Sequence, residues 1–136
     1  MNDLCFVERA QTLLRARGIE TWVFGGWGEE LRGLSRPRDH ADLDLLYPAE
    51  SWDAVDAQHL DWIAGKRFPW KRAFVFEATM VELFLVQRDA DGWYTALKHR
   101  VHRWPDNALA SNGHLRVASA SALASFRHSY RVDAAA

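Results

Sequence analysis

Folds stapled by disulfides or by thiolate-bound zinc need several cysteines, and this chain of 136 residues has one, Cys5. An intrachain disulfide and a cysteine-built zinc cluster are therefore excluded, and a reducing, cytoplasmic setting is expected. Long apolar runs are missing too. No stretch of 18 apolar residues exists to span a membrane, so no membrane partner is expected. The N-terminal segment is interrupted by Glu8, Arg9, Arg15 and Arg17, where a signal peptide would need an unbroken apolar region. Charge of one sign is scarce: the net charge of −1 argues against a nucleic-acid binder held by bulk electrostatics, although not against a local basic patch. Neither a Walker A loop nor a G-x-G-x-x-G fingerprint occurs. Ser119 and Ser121 have no acid–base partners at a spacing that would suggest a serine hydrolase.

The residues that are present suit one buried core. The chain is 49% hydrophobic and carries seven tryptophans, and its length fits a single domain over residues 1–136. The first segment reads as an amphipathic helix, capped by Asn2 or Asp3 and stopped by Gly18. Thr21 to Phe24 reads as a short buried strand broken by Gly25-Gly26, and one or two helical turns follow. "DLDLLY" alternates up to Pro48, a strand pattern. Residues 51–64 read as a second helix, with Trp52, Val55, His59 and Trp62 on one face. "RAFVFEATMVELFLVQRD" reads as a hairpin with a small break near Ala78-Thr79, and a short strand is expected around Trp93-Tyr94. A loop at Asn112-Gly113 and a helix from about Ser121 to Tyr130 complete the order. The fold class is α/β (α+β), with a mixed sheet of about 4–5 strands under covering helices.

Asp42 and Asp44 stand two apart on a strand, so their carboxylates project from the same face. Leu43, Leu45 and Leu46 bury the strand around them. Two acids in such a setting repel and resist desolvation, and a divalent cation relieves both problems. Magnesium suits the oxygen ligands. Glu82, flanked by Val81 and Leu83, is a third acid inside an apolar strand, and Glu77 competes with it for that role. A turn at Thr79-Met80 would set the two glutamates opposite each other. The alternative for Glu77 is a rim position paired with a nearby base. A strand that ends in Gly25-Gly26 lets backbone N–H groups approach an anion, for which phosphate is the natural guest. "KRFPWKR" (Lys66 to Arg72) interleaves bases with aromatics, a phosphate-gripping or base-stacking pattern.

Taken together, "FGG", "ADLDLL" and "VELFL" resemble the DNA polymerase beta-type nucleotidyltransferase superfamily. More closely, "GGWGEEL" with "RDHADLDLL" looks like the small lincosamide and aminoglycoside 2''-type antibiotic nucleotidyltransferases, whose Arg-x-His-x-Asp-x-Asp run is matched by Arg38, His40, Asp42 and Asp44. The resemblance implies a nucleotidyltransferase-like fold and an enzyme that moves a nucleoside monophosphate from a nucleoside triphosphate, ATP being the expected one, to a hydroxyl. It implies that Asp42, Asp44 and Glu82 hold magnesium at a two-metal site and act in catalysis. Gly25, Gly26, Trp27, Arg38 and His40 would contact the nucleotide. A small antibiotic-like acceptor is the nearest implication. The alternatives are a protein or RNA acceptor, and a nucleotide-binding module without turnover. Trp93, Tyr94 and Trp104 are the aromatic candidates for the acceptor wall, and a homodimer could complete that wall if one chain is too small.

Overall fold

The computed structural model describes residues 2–110 and 114–126. The expected Asn112-Gly113 loop and the far end of the expected C-terminal helix lie outside them. Helix α1 (Leu4–Ala16) starts at Asp3, whose carboxylate accepts the Phe6 N–H at 2.9 Å. It stops at Gly18, whose φ of +79° releases the chain from the helical path. The strands are β1 (Trp22–Phe24), β2 (Asp42–Pro48), β3 (Asp61–Trp62), β4 (Lys71–Phe76), β5 (Thr79–Asp89), β6 (Gly92–Ala96) and β7 (Val101–Arg103). Between them lie helices α2 (Gly25–Leu31) and α3 (Asp53–Asp56), and a helical stretch covers 120–126.

The strands run β1-β2-β5-β4-β3 across one mixed sheet, and β6 and β7 extend it from the end of β5. The seven strands exceed the four to five read from the sequence because β5, at 11 residues, is long enough to serve two sets of neighbours. Its first part pairs with β4 and its last residues pair with β6. β2 and β5 run parallel, with Asp44 opposite Glu82, and β1 runs antiparallel to β2, with Phe24 opposite Asp44.

Alternation along these strands splits the core in two. Val23, Leu43, Leu45, Val81 and Leu83 face α1 and bury Phe6, Val7, Ala10 and Leu14 with them. Phe24, Leu46, Phe84 and Val86 face the other way, toward Trp104, Ala118, Ala122 and Leu123. Asp42, Asp44 and Glu82 share that second face by the same alternation.

Two sequence expectations need correction. The helix expected over 51–64 is only the four residues of α3. Trp62 instead joins β3, paired with Phe74, and its ring meets Phe74 edge-on at 5.6 Å, so sheet pairing overrides the helical pattern. The hairpin turns at Glu77-Ala78, where φ is +51° and +62°, not at Thr79-Met80. Both central residues of this two-residue turn are left-handed, the backbone that matches strand twist in hairpins. Glu82 therefore lies opposite Ala73, and Glu77 does not face it.

Candidate active site

Register places the three acids together. Asp42 and Asp44 lie on the same face of β2, and Glu82 neighbours Asp44 on the parallel strand β5. A carboxylate oxygen of each lies within 4.8 Å of the others, the one cluster among the described residues able to offer three ligand atoms to a metal. Glu82 is 5% exposed.

Burial pushes the Asp44 carboxyl up to about 8, with Asp42 and then Glu82 adding repulsion. The Asp42 carboxyl is raised as well, by burial first and by Glu82 next. The nearest compensation is Lys71 on β4, whose ammonium pairs with Glu82 and lies 5.1 Å from the Phe84 ring centroid. Lys66 also acts on Asp42 by its charge, so two lysines against three carboxylates leave the cluster under-neutralised. A hard divalent cation fits this donor set by its oxygen ligands and by its charge.

The strand β1 ends at the cluster. Gly25 has a φ of +65°, and a Cβ there would run into the Asp44 carboxylate. At Gly26 a Cβ would stand 2.6 Å from an Arg38 guanidinium nitrogen and 2.8 Å from His40 Nδ1. Only glycine lets these side chains approach the backbone so closely. No side chain caps the start of α2. Glu30, one turn further on, accepts the Arg38 N–H at 2.9 Å and lies 3.0 Å from His40 Nε2. Those contacts, the Arg38 N–H first, hold the Glu30 carboxyl below its ordinary range. Glu30 thus anchors the loop that brings Arg38 to Gly26. Sequence reading missed this role; its signal was an acid spaced one helical turn after the glycine pair.

A cleft of about 740 Å³ opens above the acids. Gly25, Gly26, Arg38, Asp42, Asp44 and Glu82 all line it. Trp27 and His40, expected at the nucleotide, do not. Trp27 is 6% exposed, donates its indole N–H to Asn2 Oδ1 at 2.9 Å and packs its ring 4.5 Å from that of His40. The pair forms the floor beneath Gly26, because the indole needs both apolar cover and one hydrogen-bond acceptor.

Glu77 stands apart, in an exposed two-pronged pair with Arg9 at 2.6 and 2.8 Å, which holds its carboxyl below the ordinary range. Trp93, Tyr94 and Trp104 do not form the wall expected of them. Trp104 is buried and bonds Thr95 Oγ1 at 2.8 Å, while Trp93 and Tyr94 lie under Arg88 and Arg103. The aromatic wall is made instead by Trp70, Phe84 and Phe126. Trp70 was visible only as part of a basic-aromatic run. Within that run Arg67 and Arg72 turn away to Asp56, while Lys71 pairs with Glu82 and the charge of Lys66 also acts on Asp42. His99 lines the cleft, whereas His102 is buried against Trp104 at 4.4 Å, so the two do not converge as metal ligands.

A strand running into a glycine pair, a short helix, and two aspartates beside a third acid on a parallel strand make this a nucleotidyltransferase enzyme. A family profile described as aminoglycoside-2''-adenylyltransferase matches residues 7–121, and the chain belongs to that family. Two solved structures of the antibiotic-resistance factor ANT(2'')-Ia share the fold. The crystal structure, a complex with adenylyl-2''-tobramycin, is 15% identical with a TM-score of 0.64, over 96% of this chain and 75% of that one. The solution structure is 16% identical with a TM-score of 0.67, over 96% and 71%. A nucleotidyltransferase from Thermotoga maritima is 14% identical with a TM-score of 0.52, over 93% and 86%. No curated protein sequence matches. Among the described residues no helix is long and apolar enough to cross a membrane.

Proposed function

We propose that residues 1–136 act as one domain that transfers a nucleoside monophosphate from a nucleoside triphosphate, ATP in our reading, to a hydroxyl of a small antibiotic-like acceptor, with magnesium bound. The observation that carries this is the convergence of Asp42, Asp44 and Glu82 beside Gly25-Gly26 at the bottom of one cleft. Asp42 and Asp44 would hold the cation, and Glu82 would complete its site or take the proton of the attacking hydroxyl. Magnesium bound there supplies charge stabilisation to the attacking and leaving oxygens. The acceptor oxygen forms a bond to the α-phosphorus, the bond from that phosphorus to the pyrophosphate oxygen breaks, and the hydroxyl proton leaves toward Glu82 or water.

In this reading, sheet order supports a separate side for each substrate. Gly25 and Gly26 lie at the end of β1 and carry Arg38 beside them, so the triphosphate belongs there. β5 and β4 lie on the other side of β2, so the acceptor hydroxyl approaches past Glu82. The protein's share of the catalysis is positioning and fixed charge. The cleft volume falls in the range of small-molecule sites, which supports a small acceptor over a macromolecule. The chain supplies its own aromatic wall, so this geometry does not call for a second copy to complete it.

Incubation with each α-labelled triphosphate, magnesium and a panel of aminoglycosides, lincosamides and transfer RNA tests the reading. Label on a small molecule with release of pyrophosphate supports it. Label on the RNA alone would overturn the acceptor class. No transfer, together with no magnesium-dependent stabilisation by any triphosphate, would overturn the function.

A further inference from the structure

The segment between α2 and β2, residues 32–41, carries no helix or strand, so side-chain contacts must set its path. Glu30 supplies the acceptor for two of them. Gly26 and Glu30 stand four residues apart on α2 and so share one face of it. One oxygen of Glu30 accepts the Arg38 N–H at 2.9 Å and lies 3.0 Å from His40 Nε2. Asn2 holds the next link, donating to the His40 carbonyl at 2.7 Å. The Glu30 carboxyl, held below its ordinary range by the Arg38 N–H first, stays charged. Arg38 lines the cleft, and Glu30 is not among the lining residues. The Arg38 guanidinium lies against Gly26. Among the described residues it makes no ion pair, and its one hydrogen bond is a 3.5 Å contact with the Asp39 carbonyl. Its backbone is fixed and its charge is uncommitted.

Resting on the nucleotidyl-transfer reading, we propose that Glu30 is a positioning residue for the triphosphate. It touches no substrate, and it fixes the Arg38 backbone so that the guanidinium meets the phosphates at Gly25-Gly26. An acid one helical turn from a phosphate site is otherwise unfavourable, since like charges repel. Here that charge is taken up by the Arg38 N–H and the His40 ring, and the arginine it places brings a positive charge to the cleft. A charge-assisted hydrogen bond is stronger than a neutral one, which suits a carboxylate over an amide at position 30. Without this clamp the nucleotide would have to order the segment and Arg38 as it binds, and that ordering lowers affinity. The loss falls on triphosphate binding, because Asp42, Asp44 and Glu82 are held by the pairing of β2 with β5.

The test is a double-mutant cycle on the full chain: wild type, Glu30→Ala, Arg38→Ala and the double variant, with Glu30→Gln alongside. Each protein is titrated by calorimetry with a non-hydrolysable ATP analogue in the presence of magnesium. Glu30→Ala should weaken the analogue about 10-fold, and Arg38→Ala by at least as much. The double variant should bind no more weakly than Arg38→Ala alone, because Glu30 acts through Arg38. Glu30→Gln, which keeps the length and one acceptor oxygen, should fall between wild type and Glu30→Ala, weaker than wild type by about 2- to 4-fold. If Glu30→Ala does not fold, the cycle is run with Glu30→Gln, whose loss should likewise vanish on the Arg38→Ala background. Wild-type affinity in the Glu30 variants, equal binding by wild type and Arg38→Ala, or losses that add in the double variant would overturn the proposal. An analogue that fails to bind wild type would overturn the nucleotide reading, and the proposal with it.

Discussion

Two groups of charges stand on opposite terms in this molecule. Around Asp42, Asp44 and Glu82, three carboxylates share Lys71 and the charge of Lys66. Around Asp56, one carboxylate is held by two guanidiniums, Arg72 at 2.8 and 3.1 Å and Arg67 at 3.0 and 3.3 Å. Arg72 is itself buried, packs 4.7 Å from the Trp52 ring and donates to the Phe68 carbonyl at 2.7 Å. The Asp56 carboxyl is lowered, by the Arg72 hydrogen bonds first, while Asp42 and Asp44 are raised. The second group satisfies its carboxylate and its buried guanidinium by mutual hydrogen bonds, with one positive charge to spare, and fastens α3 to β4. The first is left open, and a group left open at the floor of a cleft is arranged for something that arrives from solution.

That contrast can be broken by substitution. The largest effect is expected at the open group. Asp42→Asn or Asp44→Asn keeps the shape and deletes a charged ligand, and transfer should fall about 10²- to 10³-fold or more in a steady-state assay. Wild-type rates in either variant would remove the site from the chemistry. At the closed group, Asp56→Ala strands the buried Arg72 and should cost about 2–3 kcal/mol in urea unfolding, with the affinity for magnesium unchanged.

A third prediction turns on the pH dependence of the metal-free protein. Asp44 titrates near 3.8 when unfolded and near 8 when folded. Between those values the native state keeps a proton that the unfolded state has lost, so stability falls as pH rises from about 4 to about 8. Asp44→Asn has no such proton, so its stability should vary less over that window. At pH 8 in a chelator it should be the more stable of the two. A substitution that impairs function would thus raise stability. A variant with the same pH slope as wild type would show that Asp44 is not under strain. The smallest effect belongs to Glu77→Gln, which opens an exposed pair with Arg9 and should leave the urea midpoint close to that of wild type, with transfer unchanged.

The contrast also shows what was legible in the sequence and why. Strand alternation is a local signal, so Asp42 and Asp44 could be placed on one face from "DLDLL" alone. The apolar residues beside Glu82 likewise marked its strand as interior. Gly25-Gly26 marked the close approach beside Asp44. What failed depended on contacts distant in the chain. The helical pattern over 51–64 yielded to Trp62 pairing with β4. Trp27 and His40 carry the residue types of a ligand contact, yet their place beneath Gly26 depends on Asn2 and Glu30. The aromatic wall was assigned to Trp93, Tyr94 and Trp104 because a count of aromatics does not tell which ring faces a cleft. Register does: Phe84 is two residues after Glu82 on the same face.

The most direct test of the account is calorimetric titration of magnesium, with a non-hydrolysable ATP analogue, into wild type and Asp44→Asn at pH 7 in two buffers of different ionisation heat. A cation ligated by Asp44 must displace the proton that this carboxyl holds below about 8. The account predicts saturable binding to wild type with release of close to one proton, and loss of both binding and release in Asp44→Asn. Equal binding by the two proteins, or binding to wild type with no proton released, would contradict it.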